Sequence, residues 1–200
     1  MVAIIDYGMG NVLSVQKALN VINVPSVVSA DPSAIAACSH IILPGVGSFK
    51  KAMENLQAKG LVTVLRKEVQ ENKKPFLGIC LGMQLLAERG TEDGITEGLG
   101  FIEGSVELIP DHNLPATHIG WNNITIRNST YFSNVHDTNF YFVHSYCLQP
   151  KNEMDIAATV EYGCELTAAV QKNNVFGTQF HPEKSQTDGI EVLKNFIAAC

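Results

Sequence analysis

Cys80 stands between two glycines, in Gly78-Ile79-Cys80-Leu81-Gly82, directly after the apolar run Pro75–Ile79. Small residues on both sides suit a sharp strand-to-helix turn with a strained nucleophile at its tip. A thiol at a helix N-terminus feels the positive end of the helix dipole, which favours thiolate. The backbone N–H after it can point at a developing oxyanion. A nucleophilic cysteine needs a base and a group to orient that base. Gln179-Phe180-His181-Pro182-Glu183 offers both. In extended backbone residues two apart share a face, so Glu183 can hold the His181 imidazole and stabilise its protonated form. Pro182 fixes the local backbone. Pro44-Gly45-Val46-Gly47 adds a third piece, because a Gly45–Val46 or Val46–Gly47 peptide N–H can serve as the second oxyanion donor. Each motif has a plain reading: a buried cysteine in a tight turn, a surface histidine beside a helix-capping glutamate, an ordinary Pro-Gly turn. Their coincidence at the ends of three predicted strands favours nucleophilic attack on a carbonyl carbon, since sites in open α/β sheets collect at the carboxyl ends of strands.

The elements that must position these residues alternate. Val2–Asp6 reads as a buried strand, followed by a helix with Val12, Val15, Leu19 and Ile22 on one face. Ser26–Ser29 is a second strand, and Asp31-Pro32 starts a short helix. Ile41–Leu43 is a third strand, stopped by Pro44-Gly45. Helices are expected from Ser48 to about Gln57 and from Leu61 to about Asn72. Strand Pro75–Cys80 precedes a helix over Met83–Arg89. This β-α repetition predicts an α/β fold: a mostly parallel central sheet with helices on both faces. After Phe101 helical periodicity fades. Strand-like runs follow at Gly104–Ile109, Asn123–Ile126, Phe140–Val143, Asp155–Glu161, Thr167–Lys172 and Val175–Phe180, giving a β-rich second half. Ser185 is expected to cap a closing helix to Ala199, with Ile190, Leu193 and Ile197 inward. No linker or repeat interrupts the chain, so residues 1–200 read as one domain.

Hydrophobic residues make up 46% and charged residues 17%, a balance that excludes a disordered chain. The net charge of −6 with no Lys/Arg stripe argues against nucleic acid as a partner. Apolar runs fall far short of the ~20 residues that span a bilayer, and Met1–Asp6 lacks the basic start of a secretory signal. Cys38, Cys80, Cys147, Cys164 and Cys200 are an odd, scattered set with no metal-type spacing, so free thiols in the cytoplasm are expected, with no metal and no cofactor. His118 and His144 lack ligand spacing, and His40, His112 and His136 read as structural or surface.

Gly78-Ile79-Cys80-Leu81-Gly82-Met83-Gln84 with Phe180-His181-Pro182-Glu183-Lys184-Ser185 resembles the triad class of glutamine amidotransferases, whose class I domain is flavodoxin-like. Ile5-Asp6-Tyr7-Gly8-x-Gly10-Asn11, Leu43-Pro44-Gly45-Val46-Gly47-Ser48-Phe49, Gly120-Trp121-Asn122 and Tyr141-Phe142-Val143-His144-Ser145-Tyr146 narrow the likeness to the glutaminase subunits of imidazole glycerol phosphate synthase. The motifs run in family order from residue 2 to about 197. The resemblance implies that Cys80 attacks the side-chain amide of L-glutamine, His181 moves the proton and Glu183 orients His181. It implies an oxyanion hole from the Val46 and Leu81 N–H groups. Gln84, His144, Ser145 and Tyr146 would hold the amino-acid end of glutamine, with Gly45 and Gly47 nearby. Ammonia would pass to a (β/α)8 barrel cyclase as heterodimer partner, giving imidazole glycerol phosphate and an aminoimidazole-carboxamide ribotide. Trp121, Asn122 and Lys184 match segments near that interface.

Other readings share these motifs. A paralogue could feed ammonia to a synthase-like partner making a surface-polysaccharide sugar, with the same triad chemistry. A catalytically silent binding module should have lost Cys, His or Glu, and none is lost here. A cysteine hydrolase of this fold would not need Gln84 and His144-Ser145-Tyr146. Cys147 departs from the family by placing a thiol after Tyr146, and Thr91–Gly94 leaves an acidic partner contact open between Glu92 and Asp93.

Overall fold

A computed structural model describes residues 1–110, 114–127 and 129–199. His112 and Cys200 lie outside them. The first half alternates as expected: β1 (Val2–Ile5), α1 (Val12–Val21), β2 (Ser26–Ser29), α2 (Pro32–Ala37), β3 (His40–Gly45), α3 (Phe49–Ala58), α4 (Leu61–Arg66), β4 (Phe76–Cys80) and α5 (Leu81–Gln84). A π-helical turn, Lys67–Glu71, extends α4. Local chemistry sets the helix starts. Asn11, Asp31 and Ser48 side chains accept from Ser14, Ala34 and Lys51 N–H groups, which answers donors a helix leaves without internal partners.

The second half contributes β5 (Ala87–Gly90), β6 (Thr96–Glu97), β7 (Ile102–Leu108), β8 (His118–Ile126), β9 (Asn139–His144), β10 (Tyr146–Pro150), β11 (Ile156–Glu161), β12 (Glu165–Lys172), β13 (Val175–Thr178) and α6 (Gln186–Ala198). Nine strands form one sheet in the order β2-β1-β3-β4-β13-β12-β11-β8-β9. The first five are parallel and the remaining pairings antiparallel. A second sheet, β10-β7-β5-β6, has four strands.

Alternation along the buried strands feeds two cores. Val2 and Ile4 pack with Leu19 of α1 and with Leu193 and Phe196 of α6. Ala3 and Ile5 pack with Ile35, Phe49, Leu56 and Leu65 of α2 to α4. Each fully buried large side chain contributes about 1.5–3 kcal/mol, so the sheet is held from both faces.

Three local expectations are corrected. Met83–Arg89 is not a helix: α5 stops at Gln84, and Ala87–Gly90 joins the second sheet. Leu85, Leu86 and Ala87 are all buried, and a short apolar run buried all round carries no period that separates helix from strand. β3 continues through Pro44 to Gly45, and β8 starts at His118 and takes in Gly120-Trp121-Asn122. In α6 it is Val192, Leu193 and Phe196 that are fully buried, while Ile190 and Ile197 pack at the edge of the core.

Candidate active site

β3, β4 and β13 are neighbours, so their carboxyl ends bring the three motifs together. Gly45 pairs with Cys80 across β3 and β4, and Thr178 pairs with Ile79 across β13 and β4. Cys80 has φ +55° and ψ −112°, a left-handed conformation for a non-glycine residue. Such strain costs on the order of 1–3 kcal/mol and persists where the surroundings over-determine it. The surroundings here are two glycines. A methyl group on Gly78 would collide with the Gly82 carbonyl, and one on Gly82 with the Leu43 carbonyl oxygen. Backbone obstacles cannot swing aside as side chains do. Gly82→Ala is therefore expected to lower stability by about 3 kcal/mol or more, read as a fall in Tm. An unchanged Tm would show that the turn is not clamped in this way.

His181 Nδ1 donates to Glu183 Oε1 at 2.8 Å, and both side chains are about 2% exposed. The opposite ring nitrogen, Nε2, is buried without a hydrogen-bond partner of ordinary geometry. Burial by itself pushes the imidazole down. Cys80 and Glu183 outweigh burial and raise His181 to about 9. The His181 loop is braced from behind. Ser185 Oγ donates to the His181 carbonyl at 2.7 Å and accepts from Tyr141 N at 3.1 Å, and His181 N donates to the Tyr141 carbonyl at 3.0 Å. The Ser185 hydroxyl thus holds the His181 loop and does not cap α6 through its side chain.

In front of Cys80 lies a cavity of about 470 Å³. Val46, Gly47, Leu81, Gln84, His144, Ser145 and Tyr146 line it, as do Ser48, Val143 and Glu92. Gly45 sits behind this wall and is fully buried. Leu81 is the first residue of α5, where N–H groups have no intrahelical acceptor. Gln84 Nε2 is already committed to the Tyr146 carbonyl at 2.9 Å and Gln179 Oε1 at 3.1 Å. Both ring nitrogens of His144 are also engaged, with the Tyr146 carbonyl and with His118. Glu92 brings the one carboxylate of the cavity wall among the described residues, and its Oε2 accepts from Phe49 N at 2.7 Å. The sequence offers Glu92 only as one of two candidates for an acidic partner contact, not as part of this wall, because its contact joins residues 43 positions apart. Asp93 is exposed and not part of this wall.

Trp121 and Lys184 lie apart from the cavity and share a partner the sequence did not flag. Tyr141 faces Trp121 at 6.1 Å between ring centroids, and Lys184 Nζ lies 5.7 Å from the Tyr141 ring. Trp121 is 46% and Ile119 63% exposed, which makes an apolar patch beside the His181 loop. Asn122 turns its amide elsewhere, to His118 Nε2 at 3.2 Å and the Glu161 carbonyl at 2.9 Å. Cys147 is buried, and burial raises its thiol to about 12, so it is a poor competitor for a nucleophile's role.

A buried Cys at a strained strand-to-helix turn, facing a His–Glu pair on this sheet, defines a class of enzyme. The family model for class-I glutamine amidotransferases matches residues 3–200. Solved structures agree on the fold: a glutamine amidotransferase superposes with TM-score 0.77 at 18% identity, covering 99% of this chain and 98% of its own. PurLQS from Thermotoga maritima superposes with TM-score 0.74 at 19% identity, covering 98% and 97%. Curated relatives are much nearer in sequence. The chain is 50% identical over 197 residues to imidazole glycerol phosphate synthase subunit HisH of Moorella thermoacetica, covering 98% of this chain and 93% of the relative. It is 46% identical over 200 residues to subunit HisH 1 of Campylobacter jejuni, covering 98% and 99%. It is also 46% identical over 203 residues to subunit HisH of Geobacter sulfurreducens, covering 98% and 97%. The chain belongs to the class-I glutamine amidotransferases, among the HisH subunits of imidazole glycerol phosphate synthase.

Proposed function

We propose that residues 1–200 form one glutaminase domain that hydrolyses L-glutamine and supplies ammonia to a barrel cyclase in histidine biosynthesis. The observation that carries this reading is the meeting of Cys80 with the His181–Glu183 pair at adjoining strand ends, with Cys80 in the wall of a cavity large enough for an amino acid. The Cys80 thiolate adds to the side-chain carbonyl carbon of glutamine. The Val46 and Leu81 N–H groups face the oxyanion that forms. Protonated His181 gives its proton to the departing nitrogen, so ammonia leaves and a glutamyl thioester remains. Water, deprotonated by His181, then attacks the thioester; glutamate leaves and the thiolate returns. Gln84, Ser145, Tyr146 and the backbone of His144 hold the amino-acid end, with Gly45 and Gly47 shaping the floor.

Glu92 is assigned to the α-ammonium of glutamine, as the carboxylate in the cavity wall. Glu92→Gln is expected to raise the KM for glutamine about 10–100-fold with little change in kcat, the effect of losing one charged hydrogen bond worth about 1.5–3 kcal/mol. An unchanged KM would remove Glu92 from the binding site.

Ammonia passes to a (β/α)8 barrel cyclase and reacts with a phosphoribulosyl aminoimidazole-carboxamide nucleotide. Imidazole glycerol phosphate and an aminoimidazole-carboxamide ribotide result. Trp121, Tyr141 and Lys184 form the proposed contact with that partner, with Asn122 bracing it from within. The names of the curated relatives support this pairing. A cytoplasmic setting is supported by the free thiols, and no helix among the described residues is long and apolar enough to cross a membrane. The test mixes this chain with the barrel cyclase of histidine biosynthesis, with and without the ribulosyl nucleotide, and follows glutamate release. Slow turnover by the chain alone, strong stimulation by the loaded partner and imidazole glycerol phosphate as product are expected. Fast turnover unchanged by the partner would contradict the coupling. Labelled Cys80 without stimulation would move the chemistry to the polysaccharide-type pathway.

A further inference from the structure

Cys80 has a neighbour that the mechanism above leaves unused. Gln179 is fully buried, and its Nε2 donates to Cys80 Sγ at 3.8 Å, where Sγ also faces the His181 imidazole, the buried Tyr7 hydroxyl and, at 3.7 Å, the Val143 carbonyl. Strand register explains the placement: Gly177 lies opposite Gly78 and Thr178 opposite Ile79, so the next residue of that strand end falls beside Cys80. What fixes the direction of this amide is a backbone carbonyl. The Tyr146 oxygen can only accept, and it meets Gln84 Nε2 at 2.9 Å and His144 Nδ1 at 2.9 Å. The Gln84 atom there must be nitrogen. That same nitrogen meets Gln179 at 3.1 Å, so it meets oxygen, and the nitrogen of Gln179 is left to face sulfur.

The carbonyl fixes the other branch as well. His144 Nδ1 must carry a proton, so in the neutral ring Nε2 accepts. It accepts from His118 Nδ1 at 3.0 Å. His118 Nε2 then accepts from Asn122 Nδ2 at 3.2 Å. Every donor along the path meets an acceptor, and any other pair of neutral tautomers would set a lone pair against a lone pair at one of these contacts. Burial pushes both imidazoles down to about 4, which keeps them neutral near neutrality. His118 is held in plane by stacking on Phe142 and Tyr162, at 4.7 and 4.3 Å.

We infer that Gln179 is a further catalytic residue, whose amide donates to the Cys80 sulfur and favours thiolate, held in that direction by a buried chain running through Gln84, the Tyr146 carbonyl, His144, His118 and Asn122. The chain ends on β8 beside Trp121, so contiguous hydrogen bonds link the face proposed for the partner to the nucleophile, with the Tyr146 carbonyl accepting from both sides. The His144 imidazole, with both nitrogens engaged, acts through Tyr146 and Gln84 as a positioning group, which leaves the backbone of that residue for glutamine. This inference rests on Cys80 being the nucleophile of the proposed glutaminase.

The test is the pH profile of Cys80 alkylation by iodoacetamide in the full chain, read by mass spectrometry on the Cys80 peptide. Gln179→Met keeps the length and removes the donor. Its midpoint is expected about one unit higher than that of the natural chain, with alkylation about tenfold slower on the acid limb. Gln179→Glu should move the midpoint further, because a carboxylate repels thiolate. A purely structural role would change the amplitude or the Tm and leave the midpoint in place, and that result would overturn the inference. If Gln179→Met does not fold, histidine 15N NMR of the natural chain decides. Neutral His118 and His144 both protonated at Nδ1 are expected at pH 7, and an Nε2–H tautomer at either would break the chain. Labelling of the natural chain by a glutamine-like diazoketone separates the two levels. No label at Cys80 sinks the glutaminase reading itself; a label with an unmoved Gln179→Met midpoint sinks only the role of Gln179.

Discussion

Cys80→Ser is expected to lower glutamine-dependent turnover by about 10³-fold or more, while ammonia-dependent product formation in the complex with the cyclase stays near normal. The first half follows from chemistry. A serine hydroxyl is far less acidic than a thiol, so the turn would present a neutral, weak nucleophile to the carbonyl. The second half follows from geometry. Cys80 sits on the sheet of this chain, the cyclase chemistry is assigned to the partner, and free ammonia bypasses the thioester. Cys80 is 5% exposed in a clamped turn, so an isosteric swap should leave the fold intact. Loss of both activities would mean that the substitution disturbs assembly, and loss of neither would remove Cys80 from the reaction.

His181→Ala should cost about 10²–10⁴-fold in kcat, because one imidazole serves both half-reactions. Glu183→Gln should cost less, about 10–100-fold, since the amide keeps part of the hydrogen bond to Nδ1 and loses only the charge. Equal losses would mean that the roles are misassigned. The same pair predicts a pH effect on stability. The folded His181 lies at about 9, above the ordinary value of 6.5, so the folded chain holds this proton more tightly than the unfolded one. The contribution is fully present below about pH 6.5 and is lost as pH rises through about 9. In Glu183→Gln this dependence should shrink, because one of the two groups raising the imidazole is gone. A Tm that falls over that range just as steeply in the variant would contradict the assignment.

The residues legible in the sequence are those whose evidence is local. Gly78 and Gly82 announce the turn at Cys80 because only a missing Cβ permits it, and the clashes with the Gly82 and Leu43 carbonyls bear that out. The pairing of His181 with Glu183 follows from period-two spacing and is met at 2.8 Å. Glu92, Tyr141 and Gln179 stand in or beside the quoted segments, but the places they take are not legible there, because each acts through a partner far along the chain. Glu92 meets Phe49, Tyr141 meets Trp121 and Lys184, and Gln179 meets Cys80 across 99 positions. The second sheet was missed for a related reason. Leu85-Leu86-Ala87 is apolar in sequence whether it turns as a helix or runs into β5, and its pairing with β7 settles the matter. Ser185 shows the limit of cap signatures: the residue stands before α6, yet its hydroxyl is taken by Tyr141 and His181.

The most direct measurement is labelling of the whole chain with a glutamine-like diazoketone, followed by peptide mass spectrometry. The account predicts one adduct, on Cys80, suppressed by excess glutamine and absent in Cys80→Ser. Adducts on Cys164 or Cys147 alone, or labelling that glutamine does not protect against, would contradict the claim that Cys80 is the nucleophile of a glutamine site.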